Sequence, residues 1–366
     1  MRVAVVGKGL IGSAAARHLA KAGADVTLIG PDEVPGDFAD HKGSFASHYD
    51  EGRITRKNDR RPFFARASTA AIGRYPEIAA ESGIQFFSEA GALLAGGPDY
   101  MAAIAAARQG LDIGFEDLDA DGIARTFPFL AVPDGFSGVY EPREAGHISP
   151  RRLVAAQTEA ARRHGAKIVP EEAVKVAEGR VTTASQTIDA DQVIVAAGGW
   201  TDSLLGRDKR LEVYARTVAF HEIGPAEARR LGNMPSIVME SPDDIYILPP
   251  IAYADGKLWL KLGGDPEDVE LHGKDAINDW FRSGGSAEIA DYLTTRICEV
   301  IPALHFESRT HRPCVTTWSE DRIPEIRRLA PGLTIAAAGN GSGAKCSDEL
   351  GRIAADIALE DTGGLS

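Results

Sequence analysis

At 366 residues the chain exceeds the roughly 100–200 residues of an ordinary domain, so two compact units are expected. With 44% hydrophobic and 25% charged residues it can build sizeable cores, which excludes disorder as its dominant state. Lys+Arg 40 against Asp+Glu 53 gives −13 with only short basic clusters, which argues against nucleic acid as a partner; no apolar run approaches the roughly 18 residues of a membrane span.

The opening MRVAVVGKG reaches glycine too early for a secretory leader, so the cytoplasm is the expected location. In chain order, residues 3–6 form an apolar run, GKGLIG supplies a turn at 7–12, residues 14–22 read as a helix ending at Gly23, and 26–29 as a second strand. Strand, glycine turn, helix and strand make a βαβ unit and imply a parallel sheet. The rhythm returns in a helix over 151–164 with Leu153 inward, the strand AKIV, the segment RVTTAS and the apolar strand of QVIVAAGGW. Segments 211–223, 236–241, 244–248 and 257–262 are extended and separated by Gly, Pro and Asp turns, which predicts an antiparallel sheet. A helix over 287–300 places Ile289, Leu293, Ile297 and Val300 on one face, and LTIAAAG with a helix over 348–359 returns to the parallel domain. The expected fold is α/β. A Rossmann-type domain with a parallel sheet (1–85, 146–210 and 311–366) interleaves with an α+β substrate domain on a mostly antiparallel sheet (86–145 and 211–310).

Gly7, Gly9 and Gly12 form GxGxxG directly between a strand and a helix. The first glycine allows the tight turn, the second lets backbone approach a pyrophosphate, and the third lets the helix pack on the strand. The second strand normally ends in an acid that takes the ribose hydroxyls, but that place is Gly30; Asp32 and Glu33 follow near the expected spacing, and either would reach through a longer loop. The motif alone does not separate FAD from NAD. Two further strand ends carry glycines, VIVAAGGW at 193–200 and AAAGNGSGAK before the last helix, and three such ends converging on one ligand argue for the longer cofactor, FAD.

With these segments in hand, the chain resembles the D-amino-acid-oxidase superfamily of FAD-dependent oxidoreductases, and within it the sarcosine oxidase-like amine oxidases. The resemblance rests on GKGLIG, SHYDEGRITR at 47–56, AAGGW at 196–200, LKLGG at 260–264, RPC at 312–314 and GNGSGAK at 339–345, in order and spacing over essentially the whole chain. It implies a cofactor-binding set of Gly7, Gly9, Leu10, Ile11, Gly12, Asp32, Ser47, Val174, Ala197, Gly198, Trp200, Cys314, Gly339, Gly341, Gly343 and Lys345. Lys261 would lie over the flavin face and favour electron transfer to oxygen, because a fixed cation lowers the cost of the developing negative charge; read alone, it is a solvated strand lysine. Cys314 would carry FAD through a thioether at the 8α carbon, its thiol activated by His311 and Arg312; read alone, it is a small buried hydrophobe. Cys298 and Cys346 are expected to pack.

Arg56 and Lys345 match the pair that clamps the substrate carboxylate, a guanidinium offering a bidentate fork and an ammonium a second charge-assisted bond. His48 and Arg53 would stabilise negative charge on the reduced ring, with Asp50 or Glu51 offsetting one of them. The family's substrate-contacting histidine four residues after the lysine is replaced by Asp265, so sarcosine itself does not carry over; Tyr246 is a further candidate pocket wall, read alone a core aromatic on a strand. The implied reaction is oxidation of the C–N bond of an amino acid or N-alkyl amino acid: hydride to flavin N5, hydrolysis of the imine, and reoxidation by O2 to hydrogen peroxide. A dehydrogenase delivering electrons to a quinone or carrier, and a flavoprotein subunit without turnover, are the alternatives. The expected partners are a small amino-acid-like substrate and O2, with no nucleic acid or membrane, in a monomer or small homo-oligomer.

Overall fold

The computed structural model describes residues 1–33, 38–240, 244–264 and 266–360. The first strand, Arg2–Val6, is apolar on both faces and lies in the middle of a six-stranded sheet. It is flanked in parallel by Asp25–Ile29 and Gln192–Val195, with Lys167–Val169 and Leu333–Ala337 outside them and Glu325–Ala330 antiparallel at one edge. Parallel strands need cover on both faces. One face takes the helices Leu10–Lys21, Pro150–Arg163 and Gly343–Glu360; the other takes a small antiparallel sheet of Ala173–Ala177, Arg180–Thr183 and Thr187–Asp189, whose Val181 seals against Val6 and Val195.

The second body is a nine-stranded sheet in which every pairing is antiparallel except that of Ala92–Gly96 with Ser236–Met239. One side packs on the helix Ala287–Val300, which buries Ala290, Leu293, Ile297 and Val300 and leaves Ile289 only partly covered. The strand Arg309–Ser319 pairs residue for residue with Leu211–Glu222, from Arg309 opposite His221 to Ser319 opposite Leu211. We therefore place the last domain boundary after Ser319 rather than at 311. Among the described residues no helix is long and apolar enough to cross a membrane.

The last helix begins at Gly343, five residues before the expected start, so its first turn rather than a loop faces the sheet end. It crosses the first helix closely. A Cβ added at Gly351 would lie 2.5 Å from the Ala14 Cβ and 2.6 Å from the Ala15 N. Gly351→Ala should therefore destabilise the protein by about 1–3 kcal/mol through overpacking, although alanine is the better helix former. Gly73→Ala, at a helix end with nothing within 4 Å, should not, and thermal denaturation of the two variants side by side checks this.

Candidate active site

A cavity of about 630 Å3 is walled by both bodies. Gly7, Gly9, Leu10 and Ile11 reach it from the first turn; Ala197, Gly198 and Trp200 from the end of the strand Gln192–Val195; and Gly339, Gly341, Gly343 and Lys345 from the end of Leu333–Ala337. Ser47, Val174 and Cys314 complete this lining, so three glycine-bearing strand ends open on one space, as expected. The helices Leu10–Lys21 and Gly343–Glu360 both start there, and no side chain caps the first turn of the former. Free amides and a positive helix end suit a pyrophosphate. Gly7 is held at φ +109°, with Ala196 O only 2.2 Å from where its Cβ would stand, so only glycine makes this turn. Gly12 does not line the cavity: its missing Cβ makes room for Gly7 O at 1.8 Å, a packing role.

Neither expected ribose acid faces the cavity. Asp32 is paired with Lys8 with its side chain 75% exposed, and Glu33 takes a bidentate fork from Arg151 at 2.6 Å. Gly30 explains why no acid stands at the strand end itself. A Cβ there would lie 2.5 Å from the Lys8 N.

Two carboxylates organise the cations. Asp50 accepts from Lys261 Nζ at 2.5 Å, from Tyr253 OH at 2.8 Å and from Arg53 Nη1, while Lys261 also donates to Gly52 O at 3.0 Å. Burial would raise the Asp50 carboxyl, but Lys261 and Arg53 hold it well below the usual range. Leu260 and Leu262 enter the core, so alternation sends Lys261 to the opposite face; there it is fully buried, between the rings of Phe220 and Tyr246, and does not line the cavity. Lys261, expected over the flavin face, thus has its ammonium held by Asp50 and Gly52 O just outside the cavity lining. Burial, and next the neighbouring Arg53, lower the Lys261 amine to about 8 against the opposing pull of Asp50.

Asp59 is the second centre. It accepts from Lys345 Nζ at 3.0 Å, from Arg56 Nη1 at 3.2 Å and from the Arg61 backbone N at 3.0 Å. Burial would raise it, yet Lys345, Arg56 and Arg61 keep it ionised well below the carboxylate range. The run RKNDRR is therefore no solvated face: Arg56, Lys57, Asn58 and Asp59 are buried, because Glu141 inserts its carboxylate to accept from the Lys57 and Asn58 amides. Arg56 lines the cavity, and its buried Nε has no hydrogen-bond partner. Sequence reading paired Arg56 with Lys345 but missed Asp59 and Arg61; a charged residue three positions on was the available signal.

His48 lines the cavity but is no cation. Burial lowers it to about 3, and Arg151, Lys8 and Arg53 push the same way, so it is neutral near pH 7. Arg53, in contrast, is lodged between Asp50 and Ser47 O, with Nη2 3.6 Å from Cys314 Sγ. The guanidinium that reaches the sulfur thus comes from a distant segment of the chain. Cys346 is buried beside Phe64 and Leu350, whereas Cys298, expected to pack, is exposed. Tyr246 lines the cavity, and Gly263 lets its ring cross the strand, since an added Cβ would lie 2.2 Å from the ring. Asp265 lies outside the described residues. Among the described residues no group of His, Cys, Asp and Glu is arranged to hold a metal ion.

Removing Asp50's charge should expose the strain between Lys261 and Arg53. Asp50→Asn is expected to cost about 3–5 kcal/mol near pH 7, because the buried Lys261 and the partly buried Arg53 lose their shared anion. A lysine with a lowered native pKa binds fewer protons folded than unfolded, so stability rises with pH between about 8 and the ordinary 10.5. The gap between variant and parent should accordingly narrow above pH 8, where Lys261 becomes neutral in both; denaturant titrations at pH 7 and pH 10 read it.

The chain is similar to known proteins over nearly its whole length. Over 372 residues the chain is 26% identical to monomeric sarcosine oxidase of Bacillus sp. (strain B-0618), covering 98% of this chain and 92% of that one. It is 28% identical over 277 residues to N-methyl-L-tryptophan oxidase of Yersinia pestis (strain Pestoides F), covering 71% and 68%. Among solved structures, the open form of NikD, an unusual amino acid oxidase essential for nikkomycin biosynthesis, superposes with a TM-score of 0.75 at 22% identity, covering 100% and 95%. Residues 2–357 match the family model described as DAO, FAD dependent oxidoreductase, and the chain is a member of that FAD-dependent family of enzymes.

Proposed function

We propose that this protein oxidises the carbon–nitrogen bond of an amino acid or N-alkyl amino acid. The observation that carries this reading is the set of three cations, Arg56, Lys345 and Arg61, that line the cavity around the single carboxylate of Asp59. A substrate carboxylate entering there is attracted by these cations and can accept charge-assisted hydrogen bonds from them, which a simple amine cannot. FAD, when bound, supplies the two-electron acceptor for the substrate's α C–H.

The protein's own part is positioning and electrostatics. Arg56 and Lys345 hold the acid group and thereby aim the C–H at the neighbouring wall. The cation-rich surroundings disfavour a second positive charge, so the substrate amine binds unprotonated with its lone pair free to assist C–H cleavage. His48, kept neutral chiefly by burial, contributes no charge to this effect, and Tyr246 lines the cavity beside it. The imine product is then hydrolysed by water. Cys314, with Arg53 beside its sulfur, is the residue we assign to a thioether with the cofactor.

Two electron acceptors fit. Oxygen is the first, with Lys261 and Arg53 as the cations that favour charge transfer to it. The burial of Lys261 on Asp50 favours the second, a quinone or carrier protein, because much of the ammonium's field is cancelled at its source. Substrate-dependent oxygen uptake compared with reduction of a quinone dye decides between them.

Screening N-methyl, cyclic and N-glycated amino acids for turnover should find acids and reject the corresponding amines. Arg56→Ala and Lys345→Ala should each raise the substrate KM by about tenfold to hundredfold, with binding of small carboxylate inhibitors weakened in parallel; unchanged inhibitor binding would count against the clamp. Acid-precipitated parent protein is expected to stay yellow and Cys314→Ala to release its flavin, read from the absorbance of the supernatant.

A further inference from the structure

The family's cofactor leaves one unmet requirement in this chain. A dinucleotide lying across a glycine turn places its ribose by the end of the second strand, where an acidic side chain usually accepts from the hydroxyls. That place is Gly30, closed to any side chain by the Lys8 backbone, and Asp32 and Glu33 are tied to Lys8 and Arg151 away from the cavity. The adjacent strand offers another route to the same spot. Ile29 is in register with Val169, Gly30 N donates to Val169 O at 3.0 Å, and three residues on, within roughly 10 Å of chain, Glu172 lines the cavity.

We infer that Glu172 is the ribose ligand of FAD in this protein, in place of the missing strand-end acid. Its carboxylate is held ready. Ser44 Oγ donates to Oε1, and so does Lys274 Nζ at 3.2 Å, from the helix Gly273–Ser283 of the other body. Each carboxylate oxygen carries two lone pairs, so the group retains acceptor capacity toward a hydroxyl in the cavity. Ser44 and Lys274 themselves line the cavity, so the same trio forms its rim. Asp32, by contrast, is an exposed partner of Lys8 and has no such role. The assignment rests on FAD being the cofactor and is independent of which amine is oxidised.

The test uses FMN, which has the flavin and a phosphate but lacks the adenosine ribose. In a Cys314→Ser background, where flavin can be removed and returned, dissociation constants for FAD and FMN are measured by quenching of flavin fluorescence. Glu172→Ala should weaken FAD by about tenfold to hundredfold, the range of a charge-assisted hydrogen bond, and leave FMN unchanged. Glu172→Gln should fall between, and Asp32→Ala should change neither constant. Equal weakening of FAD and FMN would mean that Glu172 acts through general packing, and unchanged FAD binding, or selective loss in Asp32→Ala, would equally overturn the assignment. Parent protein purified without any bound flavin, and taking up none, would overturn the cofactor reading itself.

Discussion

Three buried cations and the partly buried Arg53 share two buried carboxylates, and the electrostatics of the cleft follow from that imbalance. Arg53 and Lys261 converge on Asp50; Arg56 and Lys345 converge on Asp59, with Arg61 adding a fifth charge at its edge. Placing such groups out of water is costly unless each is paired and hydrogen-bonded. The carboxylates remove most of that cost but leave net positive charge facing the cavity. On the reading proposed above, this residue of charge draws in an acid group and disfavours a protonated amine, while His48 is held neutral chiefly by its burial.

Both networks hang on one stretch of chain, residues 47–61, which runs between the two bodies. Its short strand Arg53–Thr55 is pinned by pairing with Gly146–Ile148, and Glu141 fixes the turn beyond it through two backbone amides. The partners come from far away: Lys261 and Tyr253 from the antiparallel sheet, Lys345 from the last helix, Cys314 from the strand that follows Leu211–Glu222 in the ladder. Cation positions are thus set by the docking of the two bodies, and a shift of either would unpair a buried charge rather than merely loosen a surface contact.

The glycines show the same dependence of site on packing. Gly7 and Gly12 hold the first turn against Ala196 and against each other, and Gly30 gives way to the Lys8 backbone. In making room, Gly30 gives up the carboxylate that the second strand would otherwise present. The neighbouring parallel strand, fixed in register by Gly30 N and Val169 O, is the element that brings an acid back to the same rim.

Local pattern was sufficient for much of this. The βαβ opening, the alternation of the antiparallel strands and the amphipathic helix over 287–300 follow from periodicity, because side-chain direction in a strand or helix is set by spacing alone. The glycine turns were legible for a similar reason, while Arg56, Lys345 and Cys314 were singled out by the family resemblance, and all three line the cavity. What spacing does not encode is where a long, flexible side chain finds its counter-charge. Alternation gave the face on which Lys261 stands, but only the folded chain turned its ammonium to Asp50, sank RKNDRR beneath Glu141, stripped the charge from His48 and moved Asp32 off the cleft. Those outcomes are decided by burial and by partners up to 286 positions away, as Lys345 is from Asp59, and such distances close only when the two bodies pack.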